Sequence, residues 1–125
     1  MTARPKTLLV VDDEDSVRRL VTTVLESAGY QVLLATEPGR AIAIAQSHDG
    51  PIDLLITDVT MPEMDGRDVA KMVTTLRPDC RVLFMSGYPT HADVPNGGLA
   101  QDAALLQKPF VPRALVQRVR ELLAG

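Results

Sequence analysis

Residues 52–66 read IDLLITDVTMPEMDG, and this stretch decides the fold class of the chain. An apolar run bounded by polar residues is typical of a fully buried strand, so the sequence predicts a strand over residues 52–57. The run is broken only by Asp53 and ends at Asp58, which opens the loop formed by residues 59–66. Asp58 is therefore expected at the carboxyl end of a buried strand.

A second apolar run, LLVV at residues 8–11, ends just as abruptly in Asp12-Asp13-Glu14. If both strands belong to one parallel sheet, their carboxylates meet at the same edge, where ligands bind in open α/β folds. Acidic side chains crowded at one point repel one another and need a cation to neutralise them. The sequence thus predicts a Mg²⁺ site that includes a reactive aspartate.

Strand and helix signals alternate along the chain about five times. Further strands are predicted over residues 31–35, 81–86 and 103–107. Four helices are predicted from apolar stripes: Val17, Leu20, Val21, Val24 and Leu25; Ala41, Ile42 and Ala45 after Pro38; Val69, Met72, Val73 and Leu76 after an N-cap at Asp65; and Leu115, Val119, Leu122 and Leu123 after Pro112. This alternation predicts an α/β, doubly wound parallel sheet with right-handed crossovers.

The predicted fourth crossover, residues 91–102, is less regular than the others. It contains Pro95 and Asn96-Gly97-Gly98, which oppose a regular helix. A short or broken fourth helix is expected there.

Size and composition limit what the protein can be. The chain has 125 residues and is expected to form one domain over residues 1–125, without an output domain. Its net charge of −3 argues against binding nucleic acid or an anionic membrane. Cys80 is the one cysteine, and the sequence has no apolar run of membrane-spanning length and no signal-peptide pattern, so a reducing cytoplasm is the expected compartment. A monomer is the default expectation for the oligomeric state.

Polar residues able to do chemistry stand at or just beyond the ends of four predicted strands: Asp12, Asp13, Asp58, Ser86 and Lys108. Each has an ordinary explanation when taken alone, as a helix-starting acid, a turn serine or a solvated lysine. Their coincidence at one sheet edge is much harder to explain in that way. His48 and His91 lack metal-ligand spacing and are interpreted as surface residues.

Four motifs stand in order along the chain: LLVVDDE at 8–14, LLITDVTMPEMDG at 54–66, VLFMSGY at 82–88 and LLQKPF at 105–110. Through them the chain, from about Lys6 to Leu123, resembles the receiver domains of two-component response regulators, such as the chemotaxis response regulator. The MSGY and QKPF wording is most similar to receivers attached to hybrid sensor histidine kinases. The resemblance implies a flavodoxin-like fold with strand order 2-1-3-4-5.

The resemblance also implies a phosphorylation site. Asp58 would be the phosphoacceptor that takes a phosphoryl group from a histidine kinase or a histidine phosphotransfer protein. Asp13, Asp58 and the backbone carbonyl of Thr60 would bind Mg²⁺ directly, and Asp12 would bind it through water. Lys108 would contact one phosphoryl oxygen, and the Ser86 hydroxyl would donate a hydrogen bond to another. The resemblance also implies a cis Lys108–Pro109 peptide bond.

On phosphorylation, the resemblance implies that Ser86 moves and that the surface of the fourth helix, fifth strand and fifth helix rearranges, with dimerisation through that face as an option. The aromatic residue usual three positions before the lysine is replaced by Leu105, which puts the usual rotamer switch in doubt. Thr60 and Tyr88 would flank the path of attacking water, and Tyr88 is predicted to shield the acyl phosphate.

Three other functions remain open from the sequence. A haloacid-dehalogenase-like phosphohydrolase would need a second Asp where Thr60 stands. A flavodoxin-like FMN module would need a phosphate-binding loop where Asp12-Asp13-Glu14 stands. A pseudo-receiver, an interaction module that never takes phosphate, is the third.

Overall fold

The computed structural model describes residues 4–124; residues 1–3 and 125 of the predicted domain lie outside the described residues. Strands and helices alternate except between the last two strands. The strands are β1 (Thr7–Val11), β2 (Gln31–Ala35), β3 (Leu54–Asp58), β4 (Arg81–Ser86) and β5 (Ala104–Gln107), and the helices are α1 (Asp15–Ser27), α2 (Pro38–Ser47), α3 (Gly66–Leu76) and α4 (Pro112–Ala124). In the part of the chain described, no helix is long and apolar enough to cross a membrane.

The five strands form one parallel sheet in the order β2-β1-β3-β4-β5, as predicted. β1 and β3 are neighbours, with Leu8 opposite Leu54 and Val11 opposite Thr57. This register brings the residues that follow β1 beside Asp58 at the end of β3. The fold thereby meets the condition on which the predicted acidic site depends.

Alternating residues of the strands face two separate cores. Leu9 and Val11 face the core covered by α2 and α3, whereas Leu8 and Val10 face the core covered by α1 and α4. All four side chains are fully buried, which explains why β1 is apolar throughout and does not alternate. Cys80 lies in the α2–α3 core, where burial raises the pKa of its thiol to about 11.

β3 begins at Leu54, two residues later than the apolar run suggests. The Asp53 carboxylate, just before β3, accepts a hydrogen bond from the Thr7 amide at 2.7 Å and two from the Arg4 guanidinium at 2.9 Å. The Arg4 contact and the Thr7 amide hold the pKa of Asp53 below its usual range. Asp53 therefore ties the start of β1 to the start of β3.

The chain between β4 and β5 is irregular, as predicted, and residues 87–103 form turns without any α-helix. Asn96, Gly97 and Gly98 all have positive φ angles, which no helix accommodates. The segment is nonetheless anchored. Val94 and Leu99 are buried in the α2–α3 core, and a ring nitrogen of His91 lies 2.7 Å from the Ala103 carbonyl. His91 and His48 are both half-buried, so neither is the exposed surface residue expected.

Candidate functional site

Side chains from three strand ends meet at the carboxyl edge of the sheet. Lys108, which follows β5, donates hydrogen bonds from Nζ to Asp12 Oδ2 and to Asp58 Oδ2, each 2.9 Å long. Asp12 follows β1 and is fully buried, and Asp58 ends β3 with 8% of its surface exposed. The Lys108–Pro109 peptide bond is cis, as the resemblance implies. Two carboxylates and one ammonium thus form a largely buried ionic cluster.

A third carboxylate, that of Glu14, joins this cluster. Oxygen atoms of Asp12, Glu14 and Asp58 all lie within 4.8 Å of one another. Clustered carboxylate oxygens are the ligands that a hard divalent cation such as Mg²⁺ prefers, so the donor set fits the predicted metal. Asp13 is exposed and does not belong to this group, and its predicted direct metal contact stays a prediction.

Burial shapes the electrostatics of the site. It raises the pKa of the Asp58 carboxyl above its usual range, and the hydrogen bond from Lys108 only partly offsets that effect. The neighbouring charge of Asp12 adds to the increase. Burial alone would lower the pKa of Lys108, but its hydrogen bonds to Asp58 and Asp12 outweigh burial and raise it. Lys108 is therefore held as a cation, and Asp58 is a carboxylate whose charge is incompletely compensated.

The loop after β3 is shaped around Asp58. The Thr60 amide lies 3.3 Å from Asp58 Oδ1 and donates to it, while the Gly66 amide donates to the Val59 carbonyl at 2.7 Å. Asp65 caps α3 through the Arg67 amide, as the sequence predicts for its N-cap position. The loop thus returns against Asp58 before α3 begins. The predicted role of the Thr60 carbonyl stays a prediction.

Ser86 and Tyr88 lie at the end of β4. Ser86 is buried, and its hydroxyl oxygen accepts a hydrogen bond from the Tyr88 amide at 2.9 Å. The Ser86 carbonyl accepts one from the Lys108 amide at 2.7 Å, which joins the ends of β4 and β5. The Tyr88 side chain is 41% exposed. Leu105 pairs with Phe84 in the sheet and packs, half-buried, against the α2–α3 core.

Two residues of this region were not singled out by the sequence analysis. Glu14 belongs to the LLVVDDE motif but received no role of its own. The Arg67 guanidinium donates hydrogen bonds from Nε and Nη2 to the Asp65 carboxylate. From Nη1 it donates to the carbonyls of Gly98 at 2.5 Å and Asn96 at 3.3 Å. No local sequence signal predicts the contacts of Arg67 with Asn96 and Gly98, because they join residues about thirty positions apart.

Comparison with known proteins places this geometry in a family. The model of the response regulator receiver domain matches residues 8–120. This chain belongs to that family. The response regulator receiver protein CpdR of Brucella abortus is 36% identical over 118 residues, which cover 94% of this chain and 97% of CpdR.

Solved structures of receiver domains share both the fold and part of the sequence. The receiver domain of the hybrid histidine kinase CckA is 36% identical, with a TM-score of 0.79, and the match covers 94% of this chain and 98% of that domain. The chemotaxis protein CheY4 of Vibrio cholerae is 31% identical, with a TM-score of 0.82, over 95% of this chain and 99% of CheY4. The match to the sensor kinase CckA of B. abortus spans only 12% of that protein.

Proposed function

We propose that this receiver domain accepts a phosphoryl group on Asp58 from a phosphohistidine and changes its surface in response. The observation that carries the proposal is the contact of Lys108 with both Asp12 and Asp58 at the carboxyl edge of the sheet. A buried aspartate beside a permanent cation and further carboxylates has the features that phosphoryl transfer requires. Such transfer depends mainly on positioning and on neutralising charge.

The transfer would proceed by attack of an Asp58 oxygen on the phosphorus of the donor. The bond from phosphorus to the histidine nitrogen of the donor breaks as the acyl phosphate forms, and the nitrogen keeps the electron pair. Lys108 would leave the Asp12 carboxylate and pair with a phosphoryl oxygen, and the Ser86 hydroxyl would donate to another. A bound Mg²⁺, held by carboxylates of this cluster, would supply further neutralisation of charge.

The signal would leave the site through β4 and β5. Phosphorylation adds nearly two negative charges, and Ser86 would release the Tyr88 amide when it turns toward the phosphoryl group. Leu105 is half-buried and aliphatic, so we propose that the output surface changes through the turns of residues 87–103 and not through an aromatic rotamer. A few kcal/mol of differential stabilisation suffices for such a shift in population.

The proposed partner is a histidine kinase or a histidine phosphotransfer protein, with this domain acting in the cytoplasm. Support comes from the relatives, since CckA is a sensor kinase that contains such a domain and CpdR is a receiver protein. Whether it acts as part of a kinase, as in CckA, or as a separate receiver protein, as in CpdR, the domain would be a phosphoacceptor with slow self-dephosphorylation. It would not be an enzyme with an external substrate. A monomer that dimerises on phosphorylation is consistent with this role.

Intact-mass spectrometry tests the proposal. The protein is incubated with Mg²⁺ and acetyl phosphate, and one added phosphoryl group is expected in the parent and in Asp49→Asn, which changes an exposed aspartate far from the site. No adduct is expected in Asp58→Asn or in excess chelator. If acetyl phosphate gives no adduct, phosphohistidine donors are used, and failure with those as well would establish a pseudo-receiver. Repeated turnover of phosphate esters would instead favour a phosphohydrolase.

A further inference from the structure

Glu14 lies at the start of α1, and its side chain makes its contact outside that helix. It is the N-cap of α1, yet its side chain makes no capping hydrogen bond to that helix. Its carboxylate instead lies 3.4 Å from Lys108 Nζ, on the open side of the site, with 58% of the side chain exposed. The side-chain interaction of Glu14 is therefore with Lys108 and not with the amides of its own helix.

The charges around Lys108 are unbalanced. Three carboxylates face this one ammonium, two at 2.9 Å and Glu14 at 3.4 Å. The nearby guanidinium of Arg18 is directed to the Asp12 carbonyl and to the Asp15 carboxylate. The site therefore holds more negative than positive charge, and Glu14 is the member that solvent reaches most easily.

We propose that Glu14 is a positioning residue of the phosphorylation site, with two effects of opposite sign. Its charge strengthens the binding of a divalent cation by Asp12 and Asp58, and its carboxylate keeps the Lys108 ammonium close when that cation displaces it from them. The same charge repels an incoming dianionic phosphodonor. This inference rests on the proposed phosphorylation of Asp58 and adds to it a residue that sets metal affinity and rate.

The size of the effect follows from charge and distance. Carboxylate oxygens of Asp12, Glu14 and Asp58 lie within 4.8 Å of one another, so a cation held by Asp12 and Asp58 would lie close to the Glu14 charge. At a separation of about 5 Å in water at ordinary ionic strength, a unit charge changes the affinity for a divalent cation by a factor of roughly five. Removing the charge in Glu14→Gln should therefore raise the dissociation constant for the cation roughly fivefold. At saturating Mg²⁺ the rate of phosphorylation by acetyl phosphate should rise, because the repulsion of the donor is smaller.

Binding is measured directly by electron paramagnetic resonance of Mn²⁺, with Mg²⁺ as the competitor. The variants are Glu14→Gln, Glu14→Asp and Glu26→Gln, the last removing the same charge from an exposed position further along α1. Glu14→Asp keeps the charge and should stay within about twofold of the parent, while Glu26→Gln should match it. Thermal unfolding of each variant shows that the fold is retained.

The outcomes separate this inference from the proposed function. Weaker Mn²⁺ binding combined with faster phosphorylation in Glu14→Gln alone supports the role of Glu14. Unchanged Mn²⁺ binding in Glu14→Gln, with the phosphoryl adduct still forming on Asp58, overturns it and leaves the proposed function intact. A parent protein that neither binds Mn²⁺ nor takes a phosphoryl group overturns both.

Discussion

At the scale of single residues, Asp58, the proposed phosphoacceptor, carries a cost to folding. It is almost fully buried, and burial and the Asp12 charge keep the pKa of its carboxyl above the usual range despite Lys108. A buried charge with incomplete compensation lowers stability, and such groups concentrate at functional sites. The proposed phosphoacceptor is thus also a residue whose charge lowers the stability of the fold.

We expect Asp58→Asn to raise the free energy of unfolding by about 1 kcal/mol at neutral pH without divalent cations. Because the pKa of Asp58 is raised in the fold, its contribution is favourable below the usual aspartate pKa of about 3.9 and is lost as the pH rises through the raised value. The gain in the variant should therefore shrink toward pH 4. Urea unfolding between pH 4 and pH 8 measures this.

The exposed Asp49→Asn variant is the matched control, and its effect should stay within about 0.5 kcal/mol across the same pH range. A loss of stability in Asp58→Asn at neutral pH would contradict the expectation. It would mean that the hydrogen bond from Lys108 outweighs the cost of burying the carboxylate.

The residues of the site could be predicted from sequence only as far as their position along the chain. Asp12, Asp58 and Lys108 follow directly from strand ends that meet at one edge, and the structure brings them together. Which neighbouring acid joins them could not be predicted. Asp13 and Glu14 are neighbours just beyond β1, and which of them reaches the site depends on the turn into α1 and on Lys108, which is 94 positions from Glu14.

At the scale of elements, the contact of the β3–α3 loop with Asp58 requires a glycine at the start of α3. A Cβ atom on Gly66 would lie 1.9 Å from the Asp58 carbonyl oxygen and 3.0 Å from the Val59 Cα. Both neighbours are backbone atoms, which cannot rotate away as a flexible side chain can. The loop therefore packs against the Asp58 backbone only while residue 66 lacks a side chain.

Gly66→Ala should lower the free energy of unfolding by at least about 2 kcal/mol and slow phosphorylation by acetyl phosphate, because the loop must move away from Asp58. Gly39→Ala is the matched control: a Cβ there meets nothing within 4 Å, and its position in α2 favours alanine. Chemical denaturation and the rate of adduct formation measure both effects. Equal behaviour of the two variants would show that the loop yields without cost.

Elements could be predicted well where the signal was local and poorly where a distant side chain intervened. The four helices and five strands follow from apolar periodicity and from Pro38, Asp65 and Pro112. The contacts of the Asp53 carboxylate with Arg4 and the Thr7 amide could not be predicted, because they join residues 46 to 49 positions apart. The irregularity of residues 87–103 could be predicted, but their hydrogen bonds from Arg67 of α3 could not.

At the scale of the whole molecule, the sheet separates two tasks. One apolar face packs against α1 and α4, and the other packs against α2 and α3. Acidic groups that these cores do not stabilise lie at its carboxyl edge. Repulsion at this edge opposes folding, and a cation bound at the proposed site would relieve it. We therefore expect the stability of the entire domain to be linked by mass action to occupancy of that site.

Mg²⁺ should accordingly raise the melting temperature of the parent protein. At about ten times its dissociation constant, a ligand that binds only the folded state adds about 1.4 kcal/mol, or roughly 5 °C for a domain of this size. Differential scanning fluorimetry against Mg²⁺ concentration, with K⁺ at matched ionic strength as the control, measures the shift. Asp58→Asn should begin at a higher melting temperature and gain less from Mg²⁺, since it has lost both the repulsion and a ligand. Equal increases of melting temperature with Mg²⁺ in parent and variant would place the stabilising cation elsewhere on the molecule. A higher melting temperature without Mg²⁺ together with a smaller increase in Asp58→Asn would show that Asp58 lowers the stability of the cation-free fold and strengthens cation binding.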